Sequence, residues 1–109
     1  MSEIENFHAH VYYDARDRAR AQKLCETAGM TFGVKVGRMH DNPVGPHPRG
    51  SCQLTIPQDQ FSTVIPWLVL NRGGLTVFTH AQTGNALKDH TDHVIWLGPS
   101  ETLKLDQFR

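Results

Sequence analysis

Cysteine is scarce in this chain of 109 residues: there are two, Cys25 and Cys52. They lie far apart in sequence and make no CxxC pair, which argues against a cysteine zinc site and fits free thiols in a reducing cytoplasm. An excess of either charge is missing too. Eleven Lys and Arg balance eleven Asp and Glu, so the formal net charge is zero. That leaves no electrostatic footprint for nucleic acid or for an anionic membrane. No apolar run approaches the roughly 20 residues that a membrane-crossing helix needs. The opening Met1-Ser2-Glu3-Ile4-Glu5 lacks the basic and apolar regions of a signal peptide. The expectation is a cytoplasmic protein with neither nucleic-acid nor membrane partners. A hydrophobic content of 39% and a charged content of 20% describe an ordinary globular chain, and the length suits one domain, residues 1–109. Against these shortages stands one surplus, seven histidines.

The first ordered stretch is Phe7-His8-Ala9-His10-Val11-Tyr12-Tyr13. Its alternation with period two predicts a half-buried strand, with His8, His10 and Tyr12 on one face and Phe7, Ala9, Val11 and Tyr13 on the other. Asp14 and Asp17 then suit a helix start. Ala21, Leu24, Cys25 and Ala28 give that helix an apolar face, and Gly29 is expected to end it. Thr31 to Arg38 reads as a second strand with Phe32, Val34 and Val36 on one side. From Met39 to Gly50 the prolines at 43, 46 and 48 and the glycines at 45 and 50 impose a stiff loop, which carries His40, His47 and Arg49. Ser51 to Ile56 resumes alternation as a third strand, with Cys52 facing the apolar side and Gln53 the other. A second helix opens at Pro57 and Asp59, carries Phe61, Val64, Ile65 and Leu68 at helical spacing, and stops at Gly73-Gly74. Leu75 to His80 is the fourth strand. From about 81 the chain continues as an extension holding a Thr83-Gly84-Asn85 turn, the polar run Lys88 to His93, and the apolar Val94-Ile95-Trp96-Leu97.

The order β-α-β-β-α-β predicts an α+β, ferredoxin-like βαββαβ sandwich: a four-stranded antiparallel sheet with two helices on one face. The expected strand order is 4-1-3-2, with strand 4 antiparallel to the central strand 1 and strand 3 parallel to it. His80 at the end of strand 4 would then lie beside His8, and the loop carrying His47 would enter at that same end. His8, His10, Gln53 and His80 would share the face away from the helices. A lone strand histidine is ordinarily a surface or hydrogen-bonding residue; four imidazoles on one corner are harder to explain that way. His8, His10, His47 and His80 are therefore candidate ligands for zinc, iron(II), copper or nickel, with His10 also a candidate proton acceptor. The carboxylate common in non-haem iron sites would have to come from Asp41, Asp89 or Asp92, and an all-histidine set is equally open.

His90 and His93 are candidate catalytic acid–base residues on a lid, or a polar loop before a short strand. Arg49 and Arg72 can bind a substrate carboxylate bidentately, with Gln53 beside the histidines as a further substrate contact. Trp67 and Trp96 read as packing residues.

Several blocks resemble one family. They are Phe7 to Asp14, Val44-Gly45-Pro46-His47-Pro48, Pro66-Trp67-Leu68 with Asn71-Arg72-Gly73-Gly74-Leu75, and Asp89-His90-Thr91-Asp92-His93 with Trp96-Leu97-Gly98. Together they resemble the fungal-type DOPA 4,5-dioxygenase family and its bacterial relatives, over about residues 5 to 98. The resemblance implies a ferredoxin-like fold and extradiol ring cleavage of a catechol such as DOPA, with non-haem iron(II) and dioxygen. It maps the family's histidines onto His8, His10, His47 and His80. The block that commonly reads His-Pro-Asn-Thr-Gly-Asp in relatives is His80-Ala81-Gln82-Thr83-Gly84-Asn85 here, without the acid at 85. The competing reading is a non-catalytic metal- or small-ligand-binding module. Either is expected as a homodimer, since the open face of such a sheet can pair with a second copy and exclude water.

Overall fold

The structure is a computed structural model and describes residues 3–109. Strand β1 spans Asn6–Tyr13, helix α1 Arg18–Phe32, β2 Lys35–Val36, β3 Gly50–Pro57, α2 Phe61–Asn71, β4 Val77–Gln82, α3 Ala86–Asp89 and β5 Val94–Leu97. They build one five-stranded sheet in the order β2-β3-β1-β4-β5. The expected α+β layout holds, with one strand added at the β4 edge: Val94–Leu97 pairs with β4 from Val77↔Leu97 to His80↔Val94.

Every strand pair is antiparallel. The expected parallel pairing of β1 and β3 is therefore wrong. The helix between β1 and β2 makes those two parallel, and β3, inserted between them, must run opposite to both. Gly50 accordingly faces Tyr13, and Pro57 faces Asn6. The β1–β4 register agrees with expectation and sets His8 directly opposite His80.

The apolar halves of the alternating strands meet the two helices. Ala9, Val11 and Tyr13 of β1, Cys52, Leu54 and Ile56 of β3, and Val77 of β4 pack with Ala21, Leu24, Cys25 and Ala28 of α1 and Val64, Ile65 and Leu68 of α2. Each Val, Leu or Ile among them contributes roughly 1.5–3 kcal/mol when fully buried. Cys52 is a buried free thiol on the helix side, as its place in the alternation predicts.

Helix α1 runs past Gly29 and ends at Gly33, whose φ of 72° takes the left-handed conformation that closes a helix. Gly29 serves a different need: a Cβ there would stand 2.7 Å from Val36 Cγ2. The expected strand over 31–38 shrinks to Lys35–Val36 because Thr31 and Phe32 belong to the helix. Asp14 precedes a single 3-10 turn, Ala15–Asp17, that Asp17 ends, and neither makes a side-chain cap. The fourth strand starts two residues later than expected and reaches Gln82.

Candidate metal centre

The polar half of the β1 alternation looks away from the helices. Because His8 pairs with His80 across the β1–β4 ladder, and His10 stands two residues further along β1, three imidazoles gather on the open face. Their ligand nitrogens all lie within 4.8 Å of one another. His10 Nε2 and His80 Nε2 are 3.1 Å apart. His8 is half-buried, while His10 and His80 are 5% and 1% exposed, so water barely reaches the pair.

Burial pushes all three rings toward the neutral form. His10 is held well below the usual histidine value, first by desolvation and then by its histidine neighbours. His80 is pushed down to about 4 by burial, although its hydrogen bond to a backbone carbonyl works the other way. His8 shifts down for the same leading reason. Neutral imidazole is the form that binds metal. The tautomer of His80 follows from its surroundings: Nδ1–H donates to the Ala81 carbonyl at 3.0 Å, which leaves the Nε2 lone pair facing His10.

His47 arrives from the other end of β1, not from the end expected, because β3 is antiparallel. The loop leaves β2, bridges at His40↔Ser51, and folds back over the open face. Tyr13 fixes this return by donating its hydroxyl to the carbonyls of His40 and Ser51, at 2.7 and 3.1 Å. The His47 ring then lies 4.1 Å from that of His10. It is not one of the three clustered ligands. Its Nδ1 shares a 2.8 Å hydrogen bond with the hydroxyl of Tyr12. Burial, then the nearby histidines, push His47 down to about 4. Tyr12 is fully buried, and burial raises its hydroxyl well above the ordinary tyrosine value.

The polar run after β4 splits. His90 reaches the cluster, with its ring 4.2 Å from that of His80, and Nδ1–H donates to the Ala86 carbonyl at 2.7 Å. His93 turns away and donates Nδ1–H to the buried carboxylate of Asp89 at 2.8 Å. Asp89 also accepts from the Thr83 amide and hydroxyl, at 2.8 and 2.6 Å. Burial alone would raise the Asp89 carboxyl, but these bonds outweigh it and hold it below its ordinary value. Asp89 thus braces the segment and does not join the imidazoles. Asp41 pairs with Arg18. The clustered ligand set among the described residues is all histidine. Asn85 caps α3 by accepting from the Lys88 amide at 3.1 Å.

Of the expected substrate residues, Gln53 sits opposite His10 and donates to the Thr55 hydroxyl at 3.1 Å. Arg49 lies over the Tyr12 ring, with its Cζ 6.0 Å from the centroid. Arg72 is elsewhere: its guanidinium donates to the Leu75 carbonyl and lines a cavity of about 440 Å³ between α1 and α2. Sequence reading assigned no role to Tyr12, Phe78, Glu101 or Phe108. Tyr12 was signalled by the β1 alternation, and Phe78 by that of the fourth strand. Phe78 forms a wall with His10 and Trp96, at centroid distances of 5.9 and 4.5 Å. Nothing periodic marks Glu101 or Phe108.

A trio of neutral imidazoles, two buried and one half-buried, on the open face of a ferredoxin-like sheet defines a small α+β protein built around a candidate metal centre. Residues 7–107 match the Dopa 4,5-dioxygenase family, and the chain belongs to that family. It is similar to the DOPA 4,5-dioxygenase of Amanita muscaria, 34% identical over 113 residues, covering 95% of this chain and 50% of the relative. It is equally similar, at 34% over 112 residues, to an uncharacterised 21.2 kDa protein of Botryotinia fuckeliana, covering 92% of this chain and 60% of that one. The chain thus spans only about half to three-fifths of these curated relatives. A crystal structure from Nostoc punctiforme described as a "putative dioxygenase" superposes with a TM-score of 0.93 at 45% identity, covering 95% of this chain and 90% of that one.

Proposed function

We propose that the protein is an extradiol ring-cleaving dioxygenase that uses non-haem iron(II) and dioxygen to open a catechol such as DOPA. One observation carries this reading: the His8, His10 and His80 nitrogens converge within 4.8 Å, with His10 and His80 buried and His8 half-buried. That donor set fits a divalent metal, because three neutral imidazoles are borderline ligands that leave coordination positions for substrate. The resident iron would supply the Lewis-acid and redox chemistry through which a catechol and dioxygen react.

The residues around it have separable tasks. His80 is oriented by its bond to Ala81. His47, kept neutral and bonded to Tyr12, holds or accepts a substrate hydroxyl proton, and the Tyr12 hydroxyl fixes its ring. Phe78 and Trp96 provide an aromatic wall for the substrate ring. Arg49 offers a two-pronged cation for a substrate carboxylate.

The test is anaerobic loading with iron(II), then air and a panel of catechols that includes DOPA, with zinc-loaded protein as control. Oxygen uptake and a yellow ring-opened product are expected with iron only. No uptake and no coloured product from any catechol overturns the reading.

A further inference from the structure

His10, His47 and His80 are 5%, 6% and 1% exposed and only His8 is half-buried, so little of the cluster is open to a ligand in the structure as it stands. Something over the open face has to move. Residues 98–109 cross that face and meet it at successive points. Glu101 accepts two parallel bonds from Arg49, Nε to Oε1 at 3.1 Å and Nη2 to Oε2 at 2.8 Å. The Lys104 amide donates to the Pro46 carbonyl at 2.8 Å, next to His47. A Cβ built at Gly45 would stand 3.7 Å from Gln107 Nε2, so this side chain lies over the same loop. Phe108 stacks on His90 at 4.4 Å and 24°, and His90 in turn lies against His80.

This segment is thinly held. None of residues 98–109 is buried; Glu101, Leu103, Leu105 and Phe108 are half-buried, with Glu101 on Arg49 and Phe108 on His90. Segments with few buried contacts open at the lowest free-energy cost. The Arg49 fork is also filled in the geometry that a free carboxylate takes; a further contact, Nη1 to Asp14 Oδ1 at 3.3 Å, leaves that fork face intact.

We infer that residues 98–109 are a strap across the histidine site, latched by Glu101 on Arg49, and that a ligand bearing a carboxylate opens it by taking the place of Glu101. The inference rests on the reading above that the site admits an aromatic carboxylate. Glu101 is then an internal stand-in for the ligand's acid group, and an aromatic ligand without a carboxylate leaves the latch closed.

The Lys104 amide reports the strap directly through hydrogen exchange measured by NMR. Glu101→Gln keeps the shape and removes the charge, and it is expected to speed Lys104 exchange about tenfold, the scale of one good partly buried ion pair. Phe108→Ala should do the same from the other end. In the wild type, 3-phenylpropanoate should speed Lys104 exchange while 3-phenylpropanamide does not, and Arg49→Gln should erase that difference. Zinc-loaded Glu101→Gln should give up its metal to the uncharged chelator 1,10-phenanthroline faster by a similar factor. Unchanged Lys104 exchange in both strap variants, or equal responses to acid and amide, overturns the inference. If the histidines bind no zinc at all, the metal reading fails alone, and Lys104 exchange still decides the strap.

Discussion

Tyr12 and His47 share a hydrogen bond of 2.8 Å inside a site from which water is excluded. Tyr12→Phe removes the hydroxyl and strands the His47 Nδ1, and a buried polar group left without a partner costs about 1–3 kcal/mol. Urea denaturation should register that loss. Under the proposed function, the same variant should lower turnover while leaving the metal content unchanged. Under the same proposal, the three clustered histidines are expected to behave differently from His47. Replacing His8, His10 or His80 by Ala removes one of three ligands and should weaken metal binding by roughly 100-fold or more. His47→Ala should retain the metal and lose oxygen uptake. Metal analysis beside oxygen-electrode traces separates the two groups, and loss of metal from His47→Ala would place that ring among the ligands.

At the scale of elements, two glycines of the α1–β2 passage make opposite demands. Gly33 has a φ of 72° and no atom within 4 Å of a built Cβ, whereas Gly29 meets Val36 Cγ2 at 2.7 Å. Gly33→Ala should therefore cost about 1 kcal/mol through backbone strain alone. Gly29→Ala should cost about 1–3 kcal/mol through overpacking, and Val36→Ala in the same chain should recover part of it. Thermal melts of the three variants test this, and a Gly29→Ala cost unaltered by Val36→Ala would refute the steric account.

The same passage shows how far sequence could carry the fold. Strands β1 and β3, with strict alternation, were legible to their faces, and so was the pairing of His8 with His80. The end of α1 was not, because either glycine can close a helix by residue type alone and only tertiary contact distinguishes them. The direction of β3 follows from the crossover topology and not from its own residues, and it brings the His47 loop to the Tyr13 end of β1, opposite to the end expected. Which of His90 and His93 joins the cluster depends on Asp89 and Thr83, a buried bonding pattern with no periodicity to reveal it. Residues 98–109 make contacts across the sheet without any repeat, so Glu101 and Phe108 were silent.

For the molecule as a whole, the depressed histidines link stability to acidity. In the unfolded chain these rings protonate near their ordinary value of 6.5, but in the folded, metal-free protein His47 and His80 do so near 4. Between those values the unfolded chain binds more protons, so stability falls as pH falls from about 6.5 toward 4. Each of these two rings accounts for at most about 3 kcal/mol. Above pH 6.5 they contribute no slope. Denaturant midpoints of the metal-free protein at pH 7.5, 6, 5 and 4 should show this fall, and His47→Gln should flatten it. A midpoint constant across that range would contradict the neutral, buried state of the cluster.

The distance along the chain between the clustered rings has a consequence for biosynthesis. His10 and His80 are separated by 70 residues. A zinc finger presents neighbouring ligands to the ion while still unfolded, so the ion can organise the peptide. Here no ion can hold both rings until β4 has left the ribosome and docked beside β1, a slow, non-local pairing. Under the proposed function, metal uptake by both rings therefore follows the pairing of β1 with β4.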